Sequence, residues 1–171
     1  MVVPAVVHFH FMLQLITILN RCHRFPGFVY QQARFSSDHK SIEIAVRPRR
    51  GAKAVCSRCH QPAPGYDQLA ERRFEFIPFW GFLVFLLYSM RRVDCRRCAA
   101  VVVEDVPWGD GKRTLTRAYM LFLARWARRL SWKETAEAFR TSWEKGFRRR
   151  RACRHLRARA PGARPDRCYR R

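Results

Sequence analysis

Acidic residues are scarce in this chain. Only 13 Asp and Glu stand against 35 Lys and Arg in 171 residues, a formal net charge of +22. That imbalance excludes a basic partner and points to a polyanion, because such a surface attracts phosphate and repels its own sign. Glycine and proline are few as well, 8 and 9, which excludes collagen-like or linker composition. Persuasive membrane spans are also lacking. Residues 2–19 have the length but contain Pro4, His8, His10 and Gln14, and the apolar stretch 76–90 is shorter than the roughly 20 residues a crossing helix needs. The first ten residues are apolar, yet without the basic n-region and small-residue cleavage site of a signal peptide. Seven cysteines, an odd number, disfavour a secreted disulfide scaffold. Reduced thiols in a cytoplasmic setting are therefore expected, with no membrane partner.

What the chain does have is material for a core. Hydrophobic residues make up 48% and aromatic ones 13%, too much for a disordered basic tail. The charge is unevenly divided. Residues 147–171 hold eleven Arg and one Asp, a net +10, which leaves +12 for the 146 residues before them. A folded body and an arginine-rich tail are thus separate sources of basicity.

Periodicity changes along the chain. Residues 13–20 read as a short apolar helix or strand, and 25–30 as a mixed aromatic stretch. Over 41–46, Ile42, Ile44 and Val46 alternate with Ser41 and Glu43, the pattern of a half-buried strand. A basic loop at 47–53 follows. Strands are predicted over 72–79, 82–93 and 99–106, and a turn at 108–111 marks the boundary between two domains. Beyond it, Tyr119, Phe122, Leu123, Trp126 and Leu130 fall at helical spacing within 116–130. Two capping boxes then stand ten residues apart, Ser131 with Glu134 and Thr141 with Glu144. Two short helices joined by a tight turn near Phe139 and Arg140 make a helix-turn-helix pattern. Glycine would suit that turn better than Arg140, and Gly146 interrupts the second helix after barely one turn.

The strongest chemical signal is a pair of pairs, Cys56-x-x-Cys59 and Cys95-x-x-Cys98. A two-residue gap lets both sulfurs point inward from one tight knuckle, and two knuckles complete a closed tetrahedral site of four thiolates for Zn2+. The 35 residues between the pairs exceed the usual spacing of about 15–20; an intervening hairpin accounts for the excess. Lys53, Arg58, Arg96 and Arg97 are expected to offset the cluster's formal −2 and lower the thiol pKa values. Disulfides, unpaired thiols and a redox pair are the alternatives. His60 is expected beside the site rather than in it, and Cys22, Cys153 and Cys168 have no partner spacing. Four protein ligands leave no open position for water, so the zinc is structural, one ion per chain.

In a helix-turn-helix the second helix enters the major groove. Its exposed first turn here offers Thr141, Ser142 and Lys145 to base edges, with Arg125, Arg128, Arg129 and Lys133 for phosphates. Trp126, Trp132 and Trp143 are better read as core than as stacking platforms. The fold class expected is α+β. It comprises an apolar extension (1–13), a small β-rich four-cysteine zinc-finger domain (14–107), a helical DNA-binding domain (112–147) and a disordered basic tail (148–171).

Several stretches together resemble the N-terminal part of an ISL3-family transposase. They are Ile16-Thr-Ile-Leu-Asn-Arg21, Glu43-Ile-Ala-Val-Arg-Pro-Arg-Arg50, Cys56-x-x-Cys59, Pro64-Gly-Tyr-Asp67 and Arg72-Arg-Phe-Glu-Phe-Ile-Pro-Phe-Trp-Gly81. Arg91-Arg-Val-Asp-Cys95-x-x-Cys98, Val106-Pro-Trp-Gly-Asp-Gly-Lys112 and Leu130-Ser-Trp-Lys-Glu-Thr-Ala-Glu-Ala-Phe139 complete the set, which covers about residues 13–145. The resemblance implies a zinc-finger and helix-turn-helix part that recognises the terminal inverted repeats of an insertion element. In the family this part precedes an RNase H-type catalytic domain that performs transposition and DNA recombination. From Gly146 onward the chain departs from the family, as a shifted reading frame would make it do. After Glu144 only Asp166 is acidic, too little for a two-metal centre, so no catalytic residue and no DNA cleavage are expected. Asp38, Glu43, Asp67, Glu71, Glu75, Asp94, Glu104 and Asp105 read mostly as solvated surface charges. The reading is a truncated DNA-binding fragment, bacterial and nucleoid-associated, whose partners are double-stranded DNA and, in a homodimer, a second copy. An intact transposase and a zinc-stabilised relic without function are the alternatives.

Overall fold

The computed structural model describes residues 14–109 and 113–141. Their elements are α1 (Leu15–Cys22), β1 (Phe28–Phe35), β2 (Ser41–Pro48), β3 (Gly65–Phe79), β4 (Phe82–Cys95), β5 (Ala100–Val103), α2 (Arg117–Trp126) and α3 (Trp132–Ala138). Helix and sheet content is mixed, as the sequence implies. The chain divides into two compact units between Thr116 and Arg117. Both the extension 1–13 and the tail 148–171 lie outside the described residues.

The first unit is a five-stranded sheet in the order β1-β2-β4-β3, with β5 also pairing β4. Strands β3 and β4 form one long antiparallel hairpin, closed by Trp80 and Gly81. Both turn residues have positive φ, 47° and 82°, the backbone a two-residue hairpin turn demands. β2 pairs antiparallel with β1 but parallel with β4, so that Ile42 faces Val84 and Ile44 faces Leu86. Period-2 alternation decides what is buried. Ile42, Ile44, Val46, Phe74, Phe76, Val84, Leu86, Tyr88 and Met90 share one face and are all buried, joined by Leu19 of α1. β1 escapes the sequence patterning because its second half, Gln31 to Phe35, is an edge strand of exposed and half-buried side chains.

Trp108 sits in a turn but belongs to the core. It is 1% exposed, and its ring lies 4.8 Å from Phe28, 5.1 Å from Tyr88 and 5.1 Å from Phe25. The first unit continues past it, because the backbone of Glu75 on β3 exchanges hydrogen bonds with Thr114 (2.6 Å) and Thr116 (2.9 Å).

Glu104 corrects the expectation of a surface acid. Its side chain is fully buried and accepts from Tyr88 Oη (2.6 Å), Arg91 N (2.7 Å), Arg91 Nε (2.9 Å) and Arg91 Nη2 (2.7 Å). β5 stops at Val103 rather than 106 because the chain then leaves β4. Glu104 N still donates to Arg91 O on β4, but Glu104 also bridges Cys56 and Asp105 N donates to Val55 O at 2.7 Å.

In the second unit α2 ends at Trp126, short of the expected 130, as the chain turns to reach Ser131. Ser131 caps α3 by a complete capping box: its Oγ accepts from Glu134 N at 3.2 Å and Glu134 Oε2 accepts from Ser131 N at 2.7 Å. Hydrogen bonds to the cap hold the Glu134 carboxyl below its ordinary pKa. Tyr119 and Leu123 are buried, while Phe122 and Trp126 pack against Phe139 with ring centroids 5.0 and 5.7 Å apart. α3 ends in a Schellman motif. Thr141 N donates to Ala136 O (2.9 Å) and Arg140 N to Glu137 O (3.2 Å), and Arg140 has φ +50°. The tight turn expected after α3 is therefore present, with arginine held in the region glycine prefers.

Two stability outcomes are expected. Glu104→Ala strands the Arg91 guanidinium and the Tyr88 hydroxyl in the interior, and should cost about 3–5 kcal/mol in denaturant unfolding. A loss below about 1 kcal/mol would show that water reaches the site. Arg140→Gly removes the left-handed penalty and should stabilise by about 1 kcal/mol, seen as a raised Tm.

Candidate metal centre and basic helical surface

Both cysteine pairs lie at links between strands. Cys56 and Cys59 lie on the link between β2 and β3, while Cys95 closes β4 and Cys98 precedes β5. Each knuckle is folded by its own backbone. His60 N donates to Cys56 O (2.9 Å), and Cys98 N donates to Cys95 O (3.1 Å). The residue after each pair, His60 or Ala99, takes a positive φ of 56° or 47°, which turns the chain sharply away from the sulfurs. The knuckles are then brought face to face: Cys56 makes an isolated antiparallel bridge with Glu104, whose side chain is anchored on β4. Ala54, Val93 and Val102 pack around Cys56 and Cys95 as a small apolar cluster.

The four Sγ atoms lie within 4.8 Å of one another, with Cys56–Cys98 at 3.9 Å and Cys59–Cys95 at 3.5 Å. All four are free thiols, Cys56 and Cys95 buried, Cys59 and Cys98 half-buried. A disulfide needs about 2.05 Å, so the spacing excludes that alternative for this arrangement. A tetrahedral ion with metal–sulfur bonds of about 2.3 Å sets its ligands about 3.8 Å apart. The cluster fits a metal ion.

Protons on these thiols are unequally held. Cys56 is lowered to about 6, first by the backbone N–H of Cys59 and also by that of Arg58, against the opposing effect of burial. At Cys95 the backbone N–H of Cys98 pulls down, but burial and the neighbouring sulfurs outweigh it and the net shift is upward. Burial and the other three sulfurs push Cys98 up to about 12. One thiolate forms readily and opposes the next, so a cation is what allows all four to ionise together.

The expected electrostatic helpers act otherwise. Lys53, Arg58, Arg96 and Arg97 are all exposed, and what reaches Cys56 Sγ is the backbone N–H of Arg58, at 3.4 Å. His60 is not gathered with the sulfurs. Its Nδ1 meets Asp105 Oδ2 at 2.9 Å, which ties the first knuckle to the segment after β5. Neither these backbone donors nor a role for Asp105 was expected; the Cys-x-x-Cys spacing implies the former, while no local pattern announces the latter. Cys22 is free and exposed on α1. Cys153 and Cys168 lie outside the described residues.

In the second unit, Arg125, Arg128, Arg129 and Lys133 are all exposed on and between α2 and α3. Trp126 is 41% exposed but packed edgewise against Phe122 and Phe139, and Trp132 is half-buried. Thr141 is half-buried at the end of the described residues. Ser142, Trp143, Glu144 and Lys145, and with them the helix meant to read bases, lie outside. No helix among the described residues is long and apolar enough to cross a membrane. Comparisons with family models, with curated proteins and with solved structures found no match to this chain.

Purified protein is expected to carry one tightly held metal ion per chain. Chelation should lower its Tm, because metal binding is coupled to folding. Cys95→Ser should lose the ion and Cys22→Ser should keep it. Equal metal content in both, measured by elemental analysis, would reject the four-sulfur site.

Proposed function

We propose that this chain is a DNA-binding protein built on a zinc-fastened β domain, of the kind found in the N-terminal part of ISL3-family transposases. Zinc is the ion the donor set suits best: four thiolates at tetrahedral spacing, all supplied by the protein, match a structural site rather than a catalytic one. Cys56, Cys59, Cys95 and Cys98 would hold it, and its chemistry there is to neutralise and tie together two loops.

The observation that carries DNA binding is the composition of the exposed surface around the capped α3. Arg125, Arg128, Arg129 and Lys133 face water while the aromatic rings of the same unit pack on each other, which leaves the cations to the outside. With a net charge of +22, the partner that fits is the phosphate backbone of duplex DNA. Several of the acids serve the fold. Glu104 is spent on Arg91 and Tyr88, Glu43 on Arg34 and Arg73, Asp67 on Arg92, and Glu134 on its helix cap. Recognition of inverted repeats by Thr141, Ser142 and Lys145 is the finer part of the proposal, and the second copy needed for a paired repeat belongs with it.

Duplex DNA titrated at rising salt provides the test. The full chain should bind with a steep salt dependence, and replacing Arg125, Arg129 and Lys133 together by alanine should reduce the slope of log K against log salt by up to about 2.7. Absence of any binding at low salt would refute the proposal. A preference for inverted-repeat over shuffled DNA well below the roughly thousandfold of specific sites is expected, since Gly146, five residues after Thr141 in the sequence, disfavours a helix there by about 1 kcal/mol relative to alanine.

A further inference from the structure

The sulfur cluster accounts for the cysteines of the two knuckles but not for the residues between them. Positions 57, 58, 96 and 97, the two-residue spans of the two pairs, are all exposed, and three of the four are arginine. Lys53, three residues before Cys56, is exposed too. With the four sulfurs drawn within 4.8 Å, both spans are held at the rim of the same cluster. Arg58, Arg96, Arg97 and Lys53 take part in no ion pair among the described residues. The neighbouring arginines are by contrast engaged, Arg91 with Glu104 and Arg92 with Asp67. Asp94 is the exposed acid next to Cys95, one against four.

Among the described residues, no guanidinium of these spans hydrogen-bonds a sulfur; the short contact to Cys56 comes from the backbone N–H of Arg58. A cation that is neither paired internally nor folded onto the cluster is available to an anion from outside. We infer that the tips of the two cysteine knuckles form a phosphate-binding surface for the backbone of duplex DNA, with Arg58, Arg96 and Arg97 as its anchors and Lys53 at its margin. This rests on the DNA-binding reading but uses a different unit of the protein. Planar guanidinium forks suit phosphate oxygens. Loops fixed at both ends by a metal lose little further freedom on binding, which favours affinity. Contacts of this kind position a protein without reading sequence. The metal would then act on DNA at one remove, by holding arginines instead of touching the ligand.

The test uses the metal-loaded full chain and a 20-base-pair duplex of arbitrary sequence, with affinity measured across a salt series. R96A/R97A should lower the slope of log K against log salt by about 1.8, and R58A by about 0.9. R21A/R24A removes the same two charges from α1 and the loop after it, outside the two knuckles, and should change the slope by less than half as much as R96A/R97A. Metal content should be unchanged in all three. If R96A/R97A sheds its metal, R58A decides alone. Equal slopes for R21A/R24A and R96A/R97A, or no change in R58A, would overturn the inference while leaving DNA binding by the chain intact. Loss of binding to polyglutamate but not to DNA would overturn it in favour of an acidic protein partner. Failure of the unmodified chain to bind DNA would instead remove the reading on which it rests.

Discussion

A carboxylate cut off from water must be met by donors on every side, and in this protein Glu104 is. Its partners, Tyr88 and Arg91, lie on β4, the strand that pairs with β2, β3 and β5. Its backbone bridges Cys56, and Tyr88 is in ring contact with Phe28 and Trp108. One buried ion pair thus joins the aromatic core to the cysteine knuckles. Coulomb attraction in such a setting repays desolvation only when the geometry is good, and four hydrogen bonds of 2.6–2.9 Å supply it. Burial also drives the Tyr88 hydroxyl well above the usual phenol range, with the carboxylate beside it acting in the same direction. It therefore stays protonated and a donor. The knuckles inherit their positions from this arrangement.

Much of the metal cluster could be read directly from the chain because the geometry that makes it is local. A two-residue gap between cysteines folds onto itself wherever it occurs, and only the approach of one knuckle to the other needs tertiary structure. The Ser131 capping box and the left-handed backbone at Arg140 were legible for the same reason: each is decided within a few residues. The hairpin of β3 and β4 is nearly so, since Trp80 and Gly81 sit between two β-branched and aromatic runs. Less visible were features that depend on distant partners. Nothing around Ser41 to Pro48 says that β2 will run parallel to β4. Glu104 did leave a trace, standing between Val102 and Val106 at a period of two, all three buried. Charge pulled the reading toward the surface, and alternation was the better guide. Trp108 is a different case: a Pro-Trp-Gly sequence has the chemistry of a turn, and the turn is there, whether or not its indole points inward.

Electrostatics in the first unit is layered rather than diffuse. Inside, Arg91 neutralises Glu104; at mid-depth, backbone N–H groups polarise the Cys56 thiol; outside, arginines stand free of either. Placing the cations last matters. Guanidinium groups drawn onto the sulfurs would be spent, and the exposed sheet edge formed by β1 offers only Arg34, already paired with Glu43.

The parallel pairing of β2 with β4 also has a temporal side. Between Ile44 and Leu86, which face each other across it, the chain must travel through the first knuckle and the whole of β3. The β3–β4 hairpin, closed by two residues, belongs to the microsecond events of folding. Contacts with large sequence separation come later and slow the overall rate. An early hairpin pairs Gly65 with Val93 and so brings Cys59, six residues before Gly65, close to Cys95. Joining the two knuckles then closes only a short loop, and it shortens the loop that remains for zipping β2 onto β4. Metal captured during synthesis would act as a nucleation site, and scarcity of the ion would lengthen the time for which the apolar edge of β4 stays uncovered.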